Sequence, residues 1–193
     1  MGHLNKLFIV LLMMLITSCA TITKYEGSDR GYLVYSQAAT ANTNYGGYYL
    51  DVRSSNGQSA YLGYLQNNIF SPEKRDFDDE VSNGIVRMES MSPGDYEIIA
   101  LAVSKQGEGF PPPKRKEVAI PFSIQSNEIT YIGEFLATDM VADVIFGLTA
   151  SLGVTVDVND RLSRDVEIIG KNRDIKGIDI TKQIPAIKGM KVE

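Results

Sequence analysis

Ser92-Pro93-Gly94-Asp95-Tyr96-Glu97-Ile98-Ile99-Ala100-Leu101-Ala102-Val103 decides the fold of this chain. Proline presets φ at one corner of a turn and glycine accepts a positive φ at the next, so Pro93-Gly94 reverses the chain tightly. The run it launches, Asp95 to Val103, is the most strand-like in the sequence. A turn feeding a strand predicts β structure on both sides of it.

Working outward, the same grammar repeats. Upstream, Tyr32 to Gln37 reads as a strand, and Tyr48, Leu50 and Val52 alternate with Tyr49, Asp51 and Arg53, the pattern of a half-buried strand. Asn56-Gly57 is a hairpin signal that pairs this segment with Ala60 to Leu65, and Ile85 to Glu89 forms a further strand. Downstream, Gln106 to Lys116 reads as a loop, because Pro111-Pro112-Pro113 removes three amide donors in succession. Glu117 to Ile124, a turn at Ser126-Asn127, and Glu128 to Leu136 restore the strand rhythm. Val141 to Leu152 is apolar enough for a buried strand or short helix, and Val154, Val156 and Val158 alternate as a strand. A helix is expected over Asp160 to Ile169, with Asn159 as its N-cap and Leu162, Val166 and Ile169 as one apolar stripe. The basic stretch 171–193, with isoleucines at 175, 178, 180, 184 and 187, is expected to dock on the domain.

The fold class that follows is mainly β: a single antiparallel β-sandwich over residues 31–158, with one short amphipathic C-terminal helix. Ser92-Pro93-Gly94-Asp95-Tyr96-Glu97-Ile98, followed by Glu128-Ile129-Thr130-Tyr131-Ile132-Gly133-Glu134, resembles the PG-x-Y turn-and-strand and closing strand of transthyretin-like, carboxypeptidase-regulatory-like sandwiches. Bacterial lipoproteins carrying such a domain are similar over roughly residues 31 to 137. The resemblance implies a transthyretin- or immunoglobulin-like sandwich serving as a rigid accessory or binding unit. It contains no catalytic motif.

The start of the chain supplies an address. Lys6 precedes ten apolar residues, Leu7 to Ile16, then Thr17 and Ser18, which is the layout of an export signal over residues 1–18. As a helix, ten residues rise about 15 Å, half of a hydrocarbon core, so the run is too short to span comfortably. Ile16-Thr17-Ser18-Cys19 resembles a lipobox, the processing site of bacterial prolipoproteins, with cleavage between Ser18 and Cys19 and lipidation on Cys19, the only cysteine. The expected anchor is lipid on Cys19, followed by a flexible tether to residue 30. Ala20 in place of the family's retention Asp implies the outer membrane, and the periplasmic face is the one expected there.

Composition then removes whole chemistries. The single histidine, His3, lies in the signal, so the mature chain has no imidazole, no tryptophan and no free thiol once Cys19 is acylated. Ser–His–Asp and Cys–His catalysis and His-ligated zinc are thereby excluded. The net charge of −5 disfavours non-specific nucleic-acid binding. No catalytic residue, metal ligand or cofactor is assigned. Asp76, Asp78, Asp79 and Glu80 lack the glycine and distal glutamate of a calcium loop and read as a solvated charged loop. Phe110, Pro111, Pro112, Pro113, Lys114, Arg115 and Lys116 form a candidate partner-binding loop, stiff and basic, which otherwise reads as a proline-stiffened hairpin. Tyr45, Tyr48, Tyr49, Tyr61 and Tyr64 read as core or edge packing, with stacking on a glycan as the alternative. The function expected is a non-catalytic envelope module binding a protein or glycan. The rival is a hydrolase of envelope polysaccharide using Asp76, Asp78 or Glu80, which needs two carboxylates facing each other across a cleft.

Overall fold

A computed structural model of the chain describes residues 22–40, 43, 45–65, 74–105, 112, 114–143 and 149–193. In chain order they form β1 (Gly31–Thr40), β2 (Gly47–Ser54), β3 (Ser59–Leu65), β4 (Phe77–Asp78), β5 (Ser82–Met91), β6 (Gly94–Ser104), β7 (Lys114–Ile124), β8 (Ile129–Asp143), β9 (Thr149–Asn159), α1 (Leu162–Gly170), β10 (Ile180–Lys182) and β11 (Met190–Val192). The larger sheet runs β11-β9-β8-β1-β5-β4 with β10 also paired to β8, and the smaller runs β3-β2-β6-β7. The chain is mainly β, in two sheets with one helix among the described residues.

Period-two burial explains how the sheets meet. β2 turns Tyr48, Leu50 and Val52 toward the larger sheet, where they join Leu33 and Tyr35 of β1 and Ile132 and Phe135 of β8 in one core. Each such side chain, taken fully out of water, contributes about 1.5–3 kcal/mol. Gln37 crosses the same space: its Nε2 donates to the Tyr48 carbonyl at 3.3 Å and to the Leu62 carbonyl at 3.2 Å. A second apolar cluster lies on the other side of the larger sheet, where α1 and residues 175–184 cover Val34, Val86, Met88, Ile129 and Tyr131. Tyr96 of the turn motif stacks on Phe122 at 5.5 Å and its hydroxyl donates back to the Ser92 carbonyl at 2.8 Å, clasping the turn shut.

Several sequence expectations change. The larger sheet is mixed: β1 runs parallel to β8, with Tyr32 opposite Ile129 and Ala39 opposite Ala137, and β10 runs parallel to β8 as well. Turn residues specify pairing only between neighbours in sequence, so an antiparallel reading could not anticipate a pair so far apart in the chain. The stretch expected to be a flexible tether is pinned at its described start, where Ile22 is 5% exposed within the core. The Tyr25 amide donates to the Ser90 carbonyl at 2.9 Å. Ile22 carries the apolar surface that makes docking worthwhile in an otherwise polar stretch.

The expected loop 106–116 also ends early, since Lys114, Arg115 and Lys116 already pair with Val103, Ala102 and Leu101 as part of β7. At the ends of the 141–152 run, Val141 is 58% and Leu152 51% exposed in the β8–β9 hairpin. Alternate residues of a strand must face away from the core however apolar they are. The helix starts at Leu162 rather than Asp160, and Asn159 belongs to β9. Asp160 Oδ1 accepts the Leu162 amide at 3.1 Å in place of the expected asparagine cap.

Candidate functional site

β8 bends at Gly133, whose φ of +99° is open to glycine and costly for other residues. There the β1–β8 register shifts, so that two residues of β8, Ile132 and Gly133, lie opposite Tyr35 alone. The extra residue reverses the alternation: Ile132 faces the inter-sheet core before the bulge, and Phe135 and Ala137 face it after. Tyr131 and Glu134 consequently share the helix-covered face. Gly133→Ala is expected to cost about 1–3 kcal/mol through backbone strain. Its Cβ would also stand 2.8 Å from Val158 Cγ1. Thermal unfolding of the variant checks this, and an unchanged midpoint would deny the bulge its role.

On that face the protein concentrates its buried charge. Glu134 is 1% and Asp165 0% exposed, and Arg164 joins them. Arg164 Nη1 lies 2.7 Å from Glu134 Oε1, and its Nη2 2.7 Å from Asp165 Oδ1. The second Asp165 oxygen accepts from Ser36 Oγ at 2.7 Å and from the Tyr131 hydroxyl at 2.9 Å. The Tyr131 oxygen in turn accepts the Arg161 amide at 3.1 Å. Asn159 Nδ2 and Arg161 Nε reach Glu134 Oε2 at 3.3 and 3.5 Å, and the Arg164 guanidinium lies 3.7 Å over the Phe77 ring. Residues from β1, β4, β8, β9 and α1 thus meet in one closed network, which fastens the helix to the sheet. Neither carboxylate opens onto solvent, so the geometry suits a clamp and gives no access to a substrate.

Burial pushes the Asp165 carboxyl above its ordinary value, against the pull of Ser36, Arg164 and Tyr131; burial first and then the Asp165 charge push the Tyr131 hydroxyl up as well. A carboxyl raised by folding favours the folded state when protonated, so its stabilisation is complete at low pH and is lost as the pH rises through the raised value. Asp165→Asn keeps the shape and removes the titration. The stability advantage of the native chain over this variant is expected to shrink as the pH is raised from about 4 toward neutrality. Urea unfolding at several pH values measures it, and an advantage that grew with pH would mean that Arg164 outweighs burial.

The residues singled out from sequence are dispersed. Ser18, Cys19, Phe110, Pro111 and Pro113 lie outside the described residues. Pro112 is buried, Lys114 Nζ donates to the Leu152 carbonyl at 2.9 Å, and Lys116 is exposed. Arg115 is committed: its Nη1 lies 2.7 Å from Asp51 Oδ2 and 3.2 Å from the Tyr61 hydroxyl, while its Nε lies 2.6 Å from Glu117 Oε1. Of the tyrosines, Tyr45, Tyr48 and Tyr64 are buried, which leaves Tyr61 and the half-buried Tyr49 on the outer face of the smaller sheet.

Asp76, Asp78 and Asp79 serve local structure, and Glu80 is exposed. Asp76 Oδ2 accepts the Val86 amide, Asp78 pairs with Arg75 at 2.7 Å, and Asp79 accepts the Val81 and Ser82 amides. Those two amides are the main reason the Asp79 carboxyl sits below its ordinary value. The arrangement the hydrolase reading requires, two of these acids facing each other across a cleft, is not what these contacts build. Among the described residues no group of three or more His, Cys, Asp or Glu is placed to hold a metal ion. The Ser36–Glu134–Arg164–Asp165 network was missed from sequence, and the one available signal was an ionisable pair on the stripe side of a short helix.

Concavities of about 680 and 270 Å³ are lined by described residues. A groove of about 680 Å³ runs between β7 and residues 182–190, with Val118, Ile120, Ile184 and Ile187 in its lining and Glu117 and Lys182 among its polar residues. Beside it the Gln183 amide imitates a strand: its Oε1 accepts the Ser123 amide at 2.8 Å and its Nε2 donates to the Ser123 carbonyl at 3.1 Å. Pro121, two residues along, has no donor to offer on that edge, so β7 is protected against open-ended strand pairing. The second concavity, of about 270 Å³, lies between the N-terminal segment, β5 and the end of α1, and is lined by Lys24, Asp76, Arg87, Glu89 and Arg173 among others.

No protein-family model matches the sequence, and a search of curated proteins finds no match. Among solved structures, a leucine-rich repeat protein from Bacteroides thetaiotaomicron is similar at 13% identity with a TM-score of 0.35. That similarity takes in 56% of this chain and 14% of the other.

Proposed function

We propose that the chain is a lipid-anchored protein of the bacterial cell envelope, held in the outer membrane on its periplasmic face, whose β body acts as a non-catalytic binding or scaffolding module. The observation that carries the reading is Ile16-Thr17-Ser18-Cys19 at the end of the apolar run, with the only cysteine of the chain at the acylation position. The lack of histidine and free thiol after that point supports a non-enzymatic role, and so does the closure of the buried carboxylates Glu134 and Asp165. A transthyretin- or immunoglobulin-like sandwich is the finer fold we propose. Two sheets around one core and the Tyr96 clasp on Ser92, of the kind found at corners of immunoglobulin-like domains, favour it.

The partner, an envelope protein or a glycan, is assigned to the groove between β7 and residues 182–190, next to the strand that begins with Lys114, Arg115 and Lys116. Mass spectrometry of the protein purified from native membranes tests the anchor: the expected mass is that of residues 19–193 plus acyl groups. Cross-linking in the same membranes tests the module, and recovery of no specific protein or glycan would count against it.

A further inference from the structure

We infer that the domain is held directly against phospholipid headgroups, with the β5 edge and the C-terminal end of α1 toward the bilayer and the β7 groove turned away from it. The inference rests on the proposed acylation of Cys19. Only positions 20 and 21 separate that residue from Ile22, and three Cα–Cα steps reach at most about 11 Å. Ile22 cannot serve as a spacer, because its side chain is 5% exposed in the core. The next residues are fixed as well: the Tyr25 amide donates to the Ser90 carbonyl, and the Tyr25 hydroxyl donates to Asp29 Oδ1 at 3.0 Å. An interfacial headgroup layer is roughly 5–7 Å thick on each side of a bilayer, so it takes up about half of the available reach. The folded body must therefore rest on the headgroups.

Chemistry and topology choose the same side. Lys24, two residues beyond Ile22, shares the 270 Å³ cleft with Arg87 and Arg173 against Asp76 and Glu89, a local excess of one positive charge in a chain whose net charge is −5. Basic side chains near a bilayer are drawn to anionic lipid phosphates. In the larger sheet β5 lies on one side of β1, and the groove is lined, with β7, from the other side: by residues 182–187, which continue β10 on β8, and by Met190 of β11. Anchor and groove thus occupy opposite flanks, which leaves the groove open to the periplasm.

Single cysteines test the orientation, since an acylated Cys19 has no free thiol to compete for a label. Asn172→Cys lies in the basic cleft and Ala119→Cys in the groove. The acylated variants, labelled with a fluorophore, are reconstituted into phosphatidylethanolamine–phosphatidylglycerol vesicles that carry a headgroup nitroxide. The label at 172 is expected to be quenched severalfold more than the label at 119. A twenty-residue Gly/Ser insertion between Ala20 and Thr21 should abolish the difference while leaving acylation intact. Equal quenching of the two labels in an acylated, uninserted protein would overturn the orientation alone. A chain whose mass shows no acyl groups would overturn the anchor reading, and this inference with it.

Discussion

Replacing Arg164 with alanine is expected to lower the unfolding free energy by about 3–5 kcal/mol. Among the described residues the guanidinium is the only cation placed between Glu134 and Asp165 at contact distance to both, and those carboxylates are 1% and 0% exposed. Without it, Glu134 keeps Arg161 at 3.5 Å and the Asn159 amide, buried Asp165 keeps the Ser36 and Tyr131 hydroxyls but loses its guanidinium, and the Phe77 ring loses the cation 3.7 Å above it. Set against a total stability of about 5–15 kcal/mol for a domain of ordinary size, that loss is a large share. The counter-variant carries Glu134→Gln, Arg164→Met and Asp165→Asn together. Removing every charge leaves no ion unpaired, so the triple variant should be more stable than the single one. Urea unfolding of both proteins decides. A single variant that loses less than about 1 kcal/mol would mean that the site is hydrated and that α1 is held by its apolar contacts alone.

Under the lipid anchor proposed above, Cys19→Ala is expected to release the protein from the membrane when the mature chain is exported behind a cleavable leader, with at least a tenfold fall in the membrane-bound fraction. The magnitude follows from the acyl chains: each buried methylene contributes about 0.8 kcal/mol, so two or more chains hold a protein stably and their loss leaves little to retain it. The basic cleft around Lys24 and Arg173 supplies only a weak, salt-sensitive attraction by comparison. Fractionation at low and high salt separates the two contributions. A variant that remained membrane-bound to the same extent at high salt would remove the premise of a lipid anchor, and a partner protein in the membrane would then have to account for retention.

Much of the β structure was legible because its signals are local. Alternation in Tyr48, Leu50 and Val52 corresponds to their burial, Asn56-Gly57 turns between β2 and β3 with Gly57 at a φ of +85°, and Pro93-Gly94 turns into β6. The helix was placed within two residues at its start, and Leu162 and Ile169 of its expected stripe pack against the sheet. Ile169 is buried and Leu162 and Val166 are half-buried, and Asp165, which no apolar pattern marks, is fully enclosed beside them. A carboxylate can occupy such a place only when other elements bring it partners, and Ser36 and Tyr131 are far from it in sequence.

What the sequence by itself determined is therefore the set of properties that depend on a residue and its near neighbours: strand periods, tight turns and the position of the helix. Only the tertiary structure decided that β1 and β8 run parallel, that the Gly133 bulge turns Glu134 toward Arg164 and Asp165, and that Ile22 belongs to the core rather than to a tether. The reason is common to all three. Each depends on which distant segments come to lie side by side, and that choice is made by the summed burial of both sheets rather than by any local preference of the residues involved.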